Sequence, residues 1–298
     1  MIHWPSYNQS LVRRGEILFA YDFLDIWDDN LDRMNKNKNG KPYSYPDSFI
    51  LVIGYMRLYF HLPYRQTEGI IKATGKNLPD HPSYSQICRR VNKLDIPSNR
   101  LDDDDDDEII IAIDSTGIKV TSRGQWMQEK WNIKKKKGYL KIHIAVDINT
   151  QEILALEVTD EKAHDGKIME QLVEQVLENN DKDKDFHIEA VLADGAYDSN
   201  KNFNFLQKKN IRPCIKVRKN SIISSKNNKT RNREVELQTG DLLKWKNKRK
   251  YGKRWMAETV FSSMKRTYGE YVSAIKYQNM INELILKVSL YNLFRRIA

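Results

Sequence analysis

The chain has 298 residues, with 50 Lys and Arg against 40 Asp and Glu for a net charge of +10, and 40% apolar content supports a sizeable core in one large domain or two. No stretch qualifies as a membrane span, because even the apolar Met280 to Ile297 segment is broken by Glu283, Lys287, Asn292 and Arg295-Arg296. No basic region followed by an apolar run opens the chain, so no signal peptide is expected. Cys88 and Cys214 stand too far apart for a metal-ligand pair, which points to a reducing, cytoplasmic setting. Charge is unevenly spread: residues 201–298 hold 24 Lys and Arg against 6 Asp and Glu, leaving 26 against 34 in residues 1–200. A cationic C-terminal third suits a polyanionic partner, and nucleic acid is favoured over a membrane surface because no polybasic amphipathic helix stands out.

Residues 1–100 read as helices joined by polar turns. Glu16 to Trp27 carries Ile17, Phe19, Ala20, Phe23, Leu24 and Trp27 near helical spacing, and Asn35 to Gly40 is a loop. Phe49 to Leu62 is a buried run, and Tyr64 to Thr74 stops at Gly75. Ser83 or Ser85 caps a last helix through Leu94, which turns Ile87, Val91 and Leu94 inward and Arg89 and Arg90 outward. A short basic helix closing such a series suits a helix-turn-helix that enters a DNA groove, although a structural bundle produces the same pattern. Asp102 to Asp107 then reads as a solvated linker, since six like charges repel one another in any compact element. The expected division is a helical domain at 1–100, an acidic linker at 101–108 and a second domain at 109–298.

Beyond the linker the period changes. Ile109 to Ile113 is a β-rich run ending at Asp114, and Tyr139 to Val146 pairs with Glu152 to Val158 as a hairpin around Asn149-Thr150-Gln151. Lys162 to Glu178 is helical, His187 to Ala193 is a strand ending at Asp194, Asn202 to Lys208 is a short helix and Ile211 to Val217 a further strand. A Lys/Asn-rich loop at 218–234 precedes a helix from Tyr251, on which Tyr251, Arg254, Glu258 and Lys265 share one stripe at about 100° per residue. That order predicts an α/β class: a mixed sheet flanked by helices, preceded by an all-helical region.

Two acids at the ends of separate strands and a third on a helix beside cations match the needs of two-metal phosphoryl transfer. A pair of hard cations about 3.5–4 Å apart takes oxygen ligands from several elements, with substrate phosphate completing the shells. His143, His164 and His187 read as structural. Lys134, Lys135, Lys136 and Lys137, near Trp126 and Trp131, form a basic hairpin tip that either stays solvated or touches phosphate.

The spacing Tyr251, Arg254, Glu258, Lys265 resembles the Y-R-E-K signature of insertion-sequence DDE transposases of the 4/5 group. Ile113-Asp114-Ser115-Thr116 looks like that family's first catalytic Asp, and Leu192-Ala193-Asp194-Gly195-Ala196-Tyr197-Asp198 its second. Tyr7 to Leu11 with Arg14-Gly15, and Arg65 to Gly69, resemble the N-terminal region of the insertion sequence 5 branch, and Lys141 to His143 with Val146-Asp147, and His164-Asp165, are similar to the stretches that join the two catalytic aspartates there. The resemblance implies an RNase H-like core and a site of Asp114, Asp194 and Glu258 holding two Mg²⁺, or Mn²⁺, ions. It implies that Tyr251, Arg254 and Lys265 contact DNA, that element ends are bound, cut and joined through the 3′-OH to target DNA, and that a homodimer or larger assembly forms on double-stranded DNA at the nucleoid. An inactive or domesticated DNA-binding copy and a host nuclease of the same fold are the rival readings.

Overall fold

Residues 3–19, 22–74, 78–96, 108–120, 138–180 and 186–297 are described by the computed structural model. The acidic run Asp102–Asp107 and the basic tip Lys134–Lys137 lie outside these residues. Contacts group the chain into two units, one of residues 1–96, 267–269 and 274–298, the other of residues 97–266 and 270–273.

The first unit is helical. Pro5 at the first turn starts α1 (Trp4–Leu18) well before the expected Glu16. The expected Glu16 to Trp27 helix is therefore divided: α1 ends at Leu18, a tight turn covers Asp22–Leu24, and α2 (Trp27–Asn35) follows. What the spacing had grouped as one face is partly an aromatic cluster, with Phe23, Trp27 and Tyr45 all packed on Phe49 of α3 (Asp47–Tyr59). After α4 (Tyr64–Thr74), Ser83 and Gln86 form the reciprocal cap of α5 (Tyr84–Val91). The C-terminal helix, α11 (Tyr277–Arg296), joins this unit, where Gly54 lets Leu286 pack close to α3 and Tyr55 Oη meets Ser289 Oγ at 2.6 Å. The sequence-based division had left residues 274–298 with the sheet. Apolar spacing shows that α11 is buried; only the notch at Gly54 shows against what.

The second unit is built on a six-stranded sheet of order β3-β2-β1-β4-β5, with β6 beside the far end of β1. β1 (Glu108–Val120) pairs antiparallel with β2 (Tyr139–Asp147), which pairs antiparallel with β3 (Ile153–Asp160). On its other side β1 runs parallel to β4 (His187–Ala193), and β4 parallel to β5 (Arg212–Ile215). This is the RNase H-like mixed sheet that the resemblance implies. The first helix after the hairpin, α6 (Met169–Asn179), starts later than Lys162 because Asp165–Lys167 forms a separate tight turn. Its Met169, Leu172, Val173 and Val176 join Ile109, Ile111, Ile113 and Val191 in the core, as do Phe203 and Leu206 of α7 (Asn200–Lys208), a helix capped by Ser199.

The stretch expected to be a loop at 218–234 instead runs into α8 (Lys229–Gly240), followed by α9 (Leu242–Lys248). Polar groups hold them. Asp198 accepts from both Arg231 Nε and Nη2, at 2.7 and 3.0 Å, and buried Glu234 accepts from Trp245 Nε1 at 2.6 Å and from Arg249. Gln238 accepts from Val217 N and donates to Ile215 O, extending the ladder past β5 and covering that edge. Tyr251–Arg254 is a tight turn, not the start of the long helix, so α10 is Trp255–Tyr268; β6 (Tyr271–Val272) follows.

Candidate active site

The parallel register places the two aspartates side by side. β1 and β4 pair as Ile110↔Ala190, Ile111↔Val191 and Ala112↔Leu192, and continuing that register by two residues brings Asp114 level with Asp194, the first residue past β4. Neighbouring strands lie about 4.8 Å apart and in-register side chains share a face, so both carboxyls leave the sheet together. Unlike the sequence expectation, β1 does not stop at Asp114; it continues to Val120 along β2 and β6. Its pairing with β4 ends earlier, at Ala112, and past β4 Asp194 caps the Gly195–Tyr197 turn by accepting from Ala196 N at 2.8 Å.

Helix α10 supplies the third acid. Ala257, Val260, Phe261 and Met264 are buried, leaving Glu258 and Lys265 on the adjoining face. Asp114, Asp194, Arg254, Glu258 and Lys265 all line one cavity of about 580 Å³, together with Ser115 and Thr116. Arg254 sits between acids, with Nη1 3.6 Å from Asp114 Oδ2 and Nη2 donating to Glu258 Oε1. Lys265 Nζ donates to Thr116 Oγ1 at 2.7 Å. Burial pushes the Asp114 carboxyl above its ordinary range; the Ser115 amide and Arg254 oppose this, and the Asp194 and Glu258 carboxylates add to it.

Among the described residues, no three His, Cys, Asp or Glu side chains are gathered closely enough to hold a metal ion. The Glu258 side chain is 56% exposed and engaged by Arg254. The donor set nevertheless fits a hard divalent cation, since four carboxylates and three hydroxyls line one cavity and burial, with the Asp194 and Glu258 carboxylates adding to it, disfavours Asp114 as an anion.

Other expected contacts fall elsewhere. Tyr251 is buried and packs on Trp245, with its hydroxyl donating to Ala193 O at 3.3 Å. Burial raises that phenol to about 12. It therefore holds the residue before Asp194 rather than facing outward. Arg90 donates to Tyr45 O and to Asp47 Oδ1 at 3.0 and 2.6 Å and covers the Tyr43 ring, so it ties α5 to the entry of α3; Arg89 is exposed.

The turn after Asp194 is fixed by Asn202 and Gly166, neither of which stands out in the sequence. Asn202 Nδ2 donates to Gly166 O and Tyr197 O at 2.9 and 2.8 Å, and Gly166 leaves room for Ala196 O, which would lie 2.8 Å from any Cβ there. His143 Nε2 lies 2.9 Å from Thr159 Oγ1 and Nδ1 3.4 Å from Asp165, which Lys141 also approaches at 2.6 Å. Sequence reading also missed Lys216, Arg218, Lys219 and Lys246 around Asp194; the alternation Lys216-Val217-Arg218 directly after β5 was their one local sign.

Paired strand acids on an RNase H-like sheet, faced by a helix with a third acid and two cations, define a class of nucleic-acid phosphoryl-transfer proteins. The family described as Transposase DDE domain matches residues 105–293, a second family of the same description matches residues 12–123, and the chain belongs to the DDE transposases. Similar solved structures include the Drosophila P element transposase strand transfer complex, at 14% identity and TM-score 0.35, covering 63% of this chain and 41% of that one. The chain thus spans about two fifths of that relative's length. A Mos1 mariner paired end complex with Mn is also similar, at 9% identity and TM-score 0.26, covering 89% and 88% of the two chains. No described helix is long and apolar enough to cross a membrane.

Proposed function

We propose that the protein binds the terminal inverted repeats of a mobile element, cleaves the ends and joins the 3′-OH to target DNA. The observation that carries this is that Asp114 of β1, Asp194 directly after the parallel strand β4, and Glu258 of α10 line one cavity. Members of the family generally use divalent metal ions, and Asp114, Asp194 and Glu258 are the residues that would hold them here. A bound pair supplies an activated water or 3′-hydroxyl and stabilisation of the leaving oxygen. The protein's own part is to present phosphate to the acids: Arg254 and Lys265 offer charge to the backbone from the same cavity, and Tyr251 keeps Ala193, and so Asp194, in place. Exposed Arg89 is the α5 residue suited to DNA; Arg90 supports α5 behind it. Lys134–Lys137 add backbone contacts in this reading, and two protomers assemble to hold two ends.

Purified protein with Mg²⁺ should nick DNA carrying its own element ends and join them to a plasmid. Asp114→Asn should abolish nicking while sparing end binding; full cleavage by that variant would refute the assignment. Release of ends without joining would favour a nuclease.

A further inference from the structure

The row of functional groups does not stop at Asp194. β4 and β5 pair through Ala193↔Ile215, so Lys216 is the next residue level with Asp194, and its amide donates to Ala193 O at 3.1 Å. Continued just past the ends of β4 and β5, the register of these three adjacent parallel strands reads Asp114, Asp194, Lys216 along one level. Carboxyl ends of parallel strands are where open α/β sheets bind ligands.

Lys216 opens onto a second cavity of about 580 Å³, lined also by Arg218, Lys219, Lys246, Asp194 and Arg254. Asp194 and Arg254 line both cavities, so the two adjoin. Five cations here face a single carboxylate. The side chains of Lys216, Lys219 and Lys246 have no acidic partner among the described residues, and Lys246 is half-buried. Asp198, the nearby acid, is already saturated by Arg231, Ser221 Oγ and the Arg218 amide. Placement is built in: Arg218 Nε donates to Gly195 O at 3.0 Å, and α9, which carries Lys246, is anchored by Trp245 on Glu234. Ammonium groups kept close together without counter-ions repel one another, so the cavity is arranged for a ligand that supplies the missing negative charge. Its lining has no amide side chain to read a base edge, and its aromatic residue, Tyr251, is buried.

We propose that this cavity is a phosphodiester subsite that grips the DNA strand next to the scissile phosphate, on the side of Asp194 away from Glu258 and Lys265. It rests on the reading of Asp114, Asp194 and Glu258 as the catalytic centre. It recognises backbone and not sequence.

The test is equilibrium binding of the full chain to a short labelled duplex and to a labelled single strand, in chelator, across a salt series. Lys216→Gln, Lys219→Gln and Lys246→Gln together should weaken binding equally for unrelated sequences. They should also flatten the dependence of log K on log salt by about 1–2, since each neutralised phosphate contributes roughly 0.9. The triple Arg replacement should retain the slope, which keeps the test decisive if the Gln variant folds poorly; a Lys208→Gln, Lys209→Gln control on α7 should leave it unchanged. A slope in the Gln variant equal to that control overturns the proposal. Inorganic pyrophosphate provides the other arm: tight pyrophosphate binding with no change in DNA slope would mark a site for free phosphates and also overturn it. Because binding is read without metal, it is separable from the catalytic reading. Cleavage by Asp114→Asn would defeat the latter without altering the slope.

Discussion

Lys265 Nζ donates to Thr116 Oγ1, and the two residues stand in matching places: Thr116 is one side-chain repeat along β1 from Asp114, and Lys265 two turns along α10 from Glu258. Helix and strand are thus tied by a bond between a cation and a hydroxyl on the face that carries the acids. Lys265→Gln should lower DNA affinity and flatten the salt slope by about 1, while Thr116→Val, which keeps the charge, should hold the slope and cost only about 0.5–1.5 kcal/mol of stability. Salt-dependent binding and urea unfolding of the two variants check this; equal slope losses would assign the effect to the tie instead of the charge.

Tyr251→Phe separates two roles. If the hydroxyl serves Ala193 O, its removal should cost about 0.5–1.5 kcal/mol and slow cleavage while leaving DNA affinity within a few-fold. Binding and single-turnover cleavage assays distinguish the cases. A large loss of affinity with unchanged single-turnover rate would restore the direct DNA contact that the signature implies.

Gly166→Ala should be harmful where Gly69→Ala is not. A Cβ at Gly166 would lie 2.8 Å from Ala196 O in the turn after Asp194, and backbone must move to accept it. We expect a loss of about 1–3 kcal/mol, with cleavage falling further than DNA binding. Gly69, exposed in the middle of α4 with nothing within 4 Å of a Cβ, should gain about 0.5–1 kcal/mol. Thermal unfolding of both variants provides the comparison.

His143 should make the fold acid-sensitive. Burial lowers its pKa to about 4, against the opposing pull of Asp165, with Lys141 adding to the lowering. The unfolded chain takes up that proton near pH 6.5 and the folded chain does not, so the stability due to neutral His143 is complete above about pH 6.5 and is lost as pH falls towards 4. Between pH 6.5 and 5 the loss is about 2 kcal/mol. Wild type should therefore lose more stability than His143→Gln over that interval, measured by urea midpoints; parallel losses would contradict the assignment.

The strands were readable because their side chains alternate or run apolar, and the two acids stood out because each follows such a run. Sequence could not show that β1 continues past Asp114, since Ser115-Thr116-Gly117 reads as a break while β2 still pairs with it. Nor could apolar spacing find α8, whose anchors are Arg231, Glu234 and Gln238, polar groups bonded inside the fold. The Tyr251 to Lys265 spacing carried a resemblance but not side-chain direction: a tight turn before Trp255 places Tyr251 in the interior. Apart from the Lys216-Val217-Arg218 alternation, the cationic cavity was visible only as net charge, because Lys216 and Lys246 meet through folding.

One irregularity in the sheet governs the phase of the whole site. Ile109 pairs with Ile188 but Ile110 pairs with Ala190, so β4 carries one extra residue, Glu189, relative to β1. Had the earlier register continued, Asp114 would face Ala193, and Asp194 would emerge on the opposite side of the sheet. The alignment of the acids is thus counted from a single unmatched residue upstream. Changes of length between β3 and β4 leave that count intact, whereas deletion of one residue near Glu189 would dismantle the site without touching any group in it.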